Sequence, residues 1–513
     1  MKKVNRLLRS PKLQSWSWGL PVALIGGLGM GSAVAPINAW PLAWVALVPL
    51  WLLTHHSPKV ALLLGAVWGI GYHGSALAWI TGIHPMTWLG VPWVASLAIA
   101  LFCWTAITLW GAALVALWAW GMAVLSRAGS RILLGVALWC SLEWLWSRSP
   151  LWWTSLSYTQ SPHNLVILHL GQLAGPLTVT AALVAVNGLV AEAILASRKR
   201  RQWLGLAGGL LISLHLLGLA LYSHPLAQPP ETALKVGIIQ GNIPNEIKLS
   251  SVGGQQALAG YTAGYRALAT QGVDAVLTPE TALPFLWTGP SGIYSSFNQA
   301  VSDQGVVAWI GAFGRRDREL TNSLFTVTGT GRIFSRYDKV KLVPIGEYIP
   351  FKRLLGSLIE RLSPLDAHLI PGPPHQVFDT PFGRAIVGIC YDSAFPAHFQ
   401  RQAAAGGQFI LSASNNAHYS RTMPAQHHAQ DVMRAIETDR WAVRATNTGY
   451  SGLIDPHGNT RWLSDLNAYE THLATIYRRQ TETLYVRWGD WLTPLLLVLA
   501  VVAGIADRRP SQP

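Results

Sequence analysis

The sequence predicts a multi-pass α-helical membrane protein with eight transmembrane helices, into which a polar, extracytoplasmic α/β domain is inserted. Three observations predict it. Half of the 513 residues are apolar and only 12% are charged; the mean hydropathy of +0.29 is too high for an ordinary soluble chain. The apolar residues gather into long runs, accompanied by 25 tryptophans, a residue suited to the water–lipid boundary. After the seventh run comes a polar block, residues 224–487, in which strand-like and helix-like patterns alternate.

The runs occupy roughly 17–34, 36–54, 60–80, 92–125, 132–147, 165–196, 203–222 and 489–506. About 20 apolar residues cross a bilayer, so each is read as one span. The first and fifth are short, and 92–125 is long enough to tilt or project. Internal glycine and proline do not veto a membrane helix. Basic residues set the orientation. Lys2, Lys3, Arg6, Arg9 and Lys12 precede the first span, and Lys59, Arg127 and Arg131 occupy alternate loops. Arg198, Lys199, Arg200 and Arg201 lie between spans six and seven, and Arg508 and Arg509 follow the last. Positive loops stay in the cytoplasm, so both termini are expected inside and the polar block outside. The GSAVAP stretch after the first run imitates a signal-peptide cleavage site, but the proline and the apolar sequence beyond it favour a retained span. The domain boundaries expected are 1–223 for spans one to seven, 224–487 for the α/β domain, and 488–513 for the last span and tail.

The net charge of +14 falls largely in these short clusters. It orients spans and is not a nucleic-acid surface. Cys103, Cys140 and Cys390 form no paired framework.

Within the polar block, strand-like runs are LKVGIIQ, VDAVLTP, VVAWIGAF, NSLFTVTG, AIVGIC, QFILSAS, WAVRATN and YSGLIDP, with helical patterns at 254–271, 292–304 and 425–439. Reactive groups in such a sheet collect beyond the carboxyl ends of strands. Glu280 follows VDAVLTP, Lys339 and then Glu347 lie on the RYDKVKLVPIGEYIP loop, and Cys390 ends AIVGIC. A carboxylate, an ammonium and a thiol are the parts of an acyl-transfer site. The carboxylate takes the thiol proton as attack begins. The ammonium favours thiolate and steadies an oxyanion. The backbone N–H of Tyr391 is a second oxyanion donor. Each residue also has a structural reading: Glu280 as a helix cap, Lys339 as a solvated surface group, Cys390 as a buried apolar filler.

The motifs QGNIP (240–244), TPETALP around Glu280, NSLF (322–325), YDKVKLVPIGEYIP (337–350), GICYD (388–392) and RATNTGYSGLIDPHG (444–458) resemble the nitrilase superfamily. With spans on both sides, nearly the whole chain is similar to the bacterial apolipoprotein N-acyltransferases. The resemblance implies an α-β-β-α sandwich with Glu280 as general base, Lys339 as oxyanion stabiliser and Cys390 as nucleophile, supported by Glu347, Tyr391 and Asp392. It implies transfer of an acyl chain from a membrane phospholipid, through a Cys390 thioester, to the α-amine of diacylglyceryl-cysteine in an apolipoprotein. It further implies no cofactor or metal, action as a monomer, and a place in the bacterial inner membrane with the catalytic domain periplasmic. A membrane-tethered amidase using water as acceptor is the alternative.

The chain departs from the family pattern at Leu249, where a tryptophan is common, and at NNAHYS, where His418 and Tyr419 take aromatic positions. Asp392 replaces a glutamate, and Lys341 a histidine. The segment 351–362, FKRLLGSLIERL, is amphipathic, and either lies on a membrane surface or packs on its own domain; LPFLWTG carries the same two readings. His418, His427 and His428 lack the spacing of a metal site. Glu143 and Glu192 are assigned to hydrated span ends, and Arg434, Glu437 and Arg444 to ion pairs within the domain.

Overall fold

Proline and glycine decide where the apolar helices begin and break. A computed structural model describes residues 16–125, 130–196, 198–344, 346–348, 369–417 and 419–506; the amphipathic segment 351–362 and His418 lie outside them. The chain divides into two units: a helical one (Met1–Thr81, Ala98–His224, Asp490–Pro513) and an α/β one (Gly82–Leu97, Pro225–Gly489). The α/β unit thus takes in residues 82–97, which the sequence reading divides between the loop after span three and the start of span four.

All eight apolar runs contain helix. Three helices are long and apolar enough to cross a membrane among the described residues: Trp93–Leu125, Pro176–Leu195 and Arg200–Tyr222. The run 36–54 is broken instead into a 3-10 turn, Trp40–Trp44, and a short helix, Val48–Leu53, each opening on a proline that lacks an N–H. The run 165–196 breaks at Gly175, whose φ of +80° ends one helical piece before Pro176 starts the next. Helix Trp16–Gly31 packs against Pro58–Ala76 with backbones in contact: a Cβ on Gly27 would meet the Trp68 carbonyl oxygen at 2.0 Å. Helix Arg200–Tyr222 turns Ile212 and Leu216 outward, each 61% exposed, an apolar face that water does not suit.

Glu143 and Glu192, assigned from sequence to hydrated span ends, are held by protein partners. Glu143 is buried and accepts hydrogen bonds from Trp139 (3.0 Å), Thr180 (3.1 Å) and Ser155. Glu192 pairs with Arg131 at 2.8 Å and accepts from the Trp51 indole at 2.9 Å. Neighbouring helices supply these partners, and a buried charge requires them.

Among the described residues the α/β unit has thirteen strands: β1 (Ala233–Gln240), β2 (Ala275–Leu277), β3 (Leu283–Leu286), β4 (Val307–Arg316), β5 (Glu319–Val327), β6 (Ile333–Asp338), β7 (Phe378–Thr380), β8 (Gly383–Ile389), β9 (Ile410–Ser414), β10 (Ala442–Thr446), β11 (Gly452–Ile454), β12 (Thr460–Leu463) and β13 (Glu470–Tyr477). One sheet runs β13-β1-β2-β4-β5-β6, with β3 also on β4; the other runs β12-β11-β10-β9-β8-β7. The period of two along each strand sorts the side chains. Val236, Ile238, Leu277 and Trp309 of the first sheet meet Val387, Leu411 and Val443 of the second in one core. Ile239, Val276 and Ile310 point the other way, onto Tyr261, Tyr265 and Leu268 of helix Ser251–Ala269. Helices Pro396–Ala404 and Thr422–Thr438 cover the second sheet. The result is the expected α-β-β-α sandwich. LPFLWTG is settled as well: it forms β3, and Phe285 and Trp287 pack into this unit.

Candidate active site

The three candidate residues leave the sandwich at strand ends from both sheets. After β2 the chain turns through Thr278, Pro279 and Glu280 into Thr281, whose φ of +47° is a left-handed value that a β-branched residue resists. The turn lies flat on β4: Thr278 Oγ1 accepts from Gly311 N (3.0 Å), and a Cβ on Gly311 would strike the Pro279 carbonyl oxygen at 1.9 Å. Lys339 follows β6, with its N–H on the Asn322 carbonyl oxygen at 2.8 Å. Cys390 follows β8 with a φ of +50°, at the junction of strand and 3-10 turn Cys390–Ala394. A thiol on such a bend stands clear of the strand that carries it.

Lys339 is 1% exposed and bridges two carboxylates, with Nζ 2.7 Å from Glu280 Oε1 and 2.8 Å from Glu347 Oε2. Asn322 Nδ2 donates to the same pair, at 2.7 Å to Glu280 and 3.0 Å to Glu347. Glu347 Oε2 also accepts from Val343 N at 2.8 Å. Burial alone would lower the Lys339 ammonium, but Glu280 and Glu347 outweigh it and hold the group well above its ordinary value. The Lys339 surface reading is thereby excluded, and so is the capping reading of Glu280, whose side chain faces Lys339 and Asn322.

The Cys390 thiol lies within electrostatic reach of Glu280, Lys339 and Glu347. Burial, with Glu280 adding to it, pushes the thiol up to about 12, while Lys339 and the backbone of Asn415 pull the other way. The resting sulfur is therefore a thiol, and it needs a base before it can attack. Asp392 stands apart from this chemistry. It is fully buried, and its carboxylate accepts from Ile389 N (3.1 Å) and Lys341 N (2.8 Å), joining the Cys390 bend to the Lys339 loop. Burial raises it to about 7 against those donors. Tyr391 packs edge-on against Phe395, 5.1 Å between ring centres. Lys341, at the departure from histidine, places its ammonium 4.4 Å from the Phe395 ring centre. Leu249 is 42% exposed, and Tyr419 is half-buried close to the charged cluster, which together with burial raises its phenol.

Asn322 was given no role from sequence, His427 was weighed there only as a metal ligand, and the expected ion pairs of Arg434, Glu437 and Arg444 are present. Asn322 belongs to the quoted NSLF motif, but a mid-strand asparagine does not announce its partners. His427 Nε2 lies 2.9 Å from the Cys390 carbonyl oxygen, and its Nδ1 lies 3.2 Å from the Asn416 amide. Burial, with Arg444 adding, holds His427 neutral, so those partners assign Nε2–H as donor to the carbonyl. Arg444 in turn donates to Asp431 (2.6 Å) and to the His427 carbonyl oxygen (3.2 Å), and Arg434 pairs with Glu437 at 2.8 Å. QGNIP and RATN explain themselves as a knot between the sheets. Gln240 Oε1 accepts from Ser451 (2.7 Å), Ser464 (2.7 Å) and Thr446 (3.1 Å), while Asn447 Nδ2 donates to Ile243 O (2.8 Å) and Asn415 Oδ1 (3.1 Å).

The sequence matches two family models: the apolipoprotein N-acyltransferase N-terminal domain over residues 26–189 and the carbon-nitrogen hydrolase over 235–484. An apolipoprotein N-acyltransferase of Nostoc sp. strain PCC 7120 is 62% identical over 483 residues, covering 92% of this chain and 96% of that protein. The chain belongs to the apolipoprotein N-acyltransferase family. A Synechocystis member is 50% identical over 511 residues, covering 92% of this chain and 98% of its own length. A crystal structure of an amidase from Nesterenkonia sp., 18% identical, aligns with a TM-score of 0.39 over 53% of this chain and 99% of that one.

For this N-acyltransferase family member, Asn322→Leu is the first test of the site. It leaves one acceptor on each of two carboxylates, Glu280 buried and Glu347 partly so, without its donor, at a cost of about 1–3 kcal/mol, or roughly 10–100-fold. The acyl-adduct rate on Cys390 should fall by that factor; an unchanged rate would show that Asn322 does not set the carboxylate positions.

Proposed function

We propose that this acyltransferase moves an acyl chain from a membrane phospholipid to Cys390 as a thioester, and from there to the α-amine of diacylglyceryl-cysteine at the start of an apolipoprotein. One observation carries the reading: the Lys339 ammonium is clamped between Glu280 and Glu347 within reach of a thiol held on a left-handed bend. Glu280 takes the thiol proton as Sγ attacks the ester carbonyl carbon. The oxyanion is met by the Lys339 ammonium and the Tyr391 N–H. When the intermediate collapses, the C–O bond breaks and Glu280 returns the proton to the leaving lysophospholipid alkoxide. In the second half the amine attacks the thioester, Glu280 accepts its proton, and the C–S bond breaks. The thiolate released then recovers that proton. Two bulky lipids therefore never have to occupy the site together.

Eight membrane spans, both termini in the cytoplasm, a periplasmic domain at 224–487 and a monomer in the bacterial inner membrane complete the reading. The basic clusters before, between and after the apolar segments support that orientation. The match of residues 26–189 to the N-acyltransferase N-terminal domain favours it over a membrane-tethered amidase. Expression in a cell depleted of its own N-acyltransferase should restore triacylated lipoprotein N-termini by mass spectrometry. Diacylated N-termini alone, with the chain expressed and in the membrane, would refute the assignment.

A further inference from the structure

A fourth charge stands at the site. Lys248 closes the one-turn helix Asn245–Lys248, just beyond the QGNIP motif, and is 4% exposed. Its Nζ donates to the main-chain carbonyl oxygen of Glu280 at 2.9 Å, its one hydrogen bond among the described residues. An ammonium carries three donors, so two directions remain open in a buried setting. The charged and titratable groups that it feels are Glu280, Lys339 and Cys390; Glu347 and the Tyr419 phenol complete the cluster.

The arithmetic of charge gives Lys248 its role. Glu280 and Glu347 bring two negative charges and Lys339 one positive, an excess of one negative charge in a buried place. Passing the Cys390 proton to Glu280 does not change that sum; it moves the negative charge onto sulfur, away from the 2.7 Å contact with Lys339. A second ammonium makes the sum zero. Because Lys248 is moored to the Glu280 main chain rather than to its carboxylate, its field remains when that carboxylate takes the proton. The same bond braces the turn whose next residue, Thr281, is held at φ +47°.

We propose that Lys248 is a positioning residue for acyl transfer: its ammonium pins the Glu280 turn and supplies the second positive charge that allows Cys390 to become negative during attack. This rests on the acyl-transfer reading of the same site. Burial lowers Lys248 to about 8, with Glu280 and Cys390 opposing the shift. The ammonium is therefore charged below that pH and is lost above it.

The test uses the full chain in phospholipid nanodiscs. Iodoacetamide labelling of Cys390 is followed by peptide mass spectrometry between about pH 6 and 10, alongside acyl-adduct formation. Lys248→Gln keeps an N–H for the Glu280 carbonyl oxygen and removes the charge. It should slow labelling at neutral pH by about tenfold and lower the acylation rate similarly at unchanged KM. Lys248→Arg should stay within about threefold of the parent. In the parent, labelling should rise less than tenfold per pH unit beyond about pH 8, a break absent from Lys248→Arg. Parental labelling and turnover in Lys248→Gln would overturn the inference, as would a parent profile without that break. A parent chain that forms no adduct on Cys390 would instead overturn the acyl-transfer reading itself.

Discussion

Cys390→Ala is expected to abolish the acyl adduct and to lower N-acylation by on the order of 10⁴-fold or more, because the reaction loses its covalent path. The expected effect on stability has the opposite sign for one variant. Cys390 holds a left-handed backbone that costs an L-residue roughly 1–2 kcal/mol, and glycine accepts it freely. Cys390→Gly should therefore be inactive yet unfold later than Cys390→Ala, by up to a few degrees; equal midpoints would mean that the bend relaxes in both variants. Thermal unfolding of the two variants in the same detergent separates these outcomes. If Cys390→Ala still triacylated lipoproteins in cells, the nucleophile would have to be sought elsewhere.

Lys339→Met is expected to be the most damaging change to the fold of the α/β unit. It removes the ammonium that bridges the two carboxylates at 2.7 and 2.8 Å, leaving a buried Glu280 and a partly buried Glu347 joined through Asn322. Breaking a buried pair in this way costs about 3–5 kcal/mol. Losing the oxyanion donor lowers the acylation rate by about 10²–10³-fold as well. Thermal unfolding of Lys339→Met beside the parent measures the loss; an unchanged midpoint would show that Glu280 and Glu347 do not depend on the ammonium for their place.

The strand ends that carry Glu280 and Cys390 were legible because each closes an apolar run with a reactive side chain, whereas Lys339 was legible from the YDKVKLVPIGEYIP motif alone. All eight strand-like runs contain strands, from β1 through β11. The five strands that were missed carry weaker signals. β6 (IFSRYD), β12 (TRWL) and β13 (ETHLATIY) are polar and partly exposed edge strands, β7 has three residues, and β3 hides in a proline-containing loop. The breaks at Pro41, Pro49 and Gly175–Pro176 were visible, but tolerance of such residues in membrane helices argued against heeding them. Asn322, Lys248 and His427 were illegible for a different reason. Each acts through a partner far away in the chain, and no local pattern records that distance.

Glu280 and Lys339 come from one sheet and Cys390 from the other, with the Gln240 and Asn447 contacts tying the layers. The gap that the proton must cross is therefore a spacing between two slabs, set by the thickness of the filling between them. Trp309 and Leu411, packed in the core between the layers, become the shims of this gauge. A shim changed by a few methylene groups would detune the reaction while every reactive side chain stayed in place.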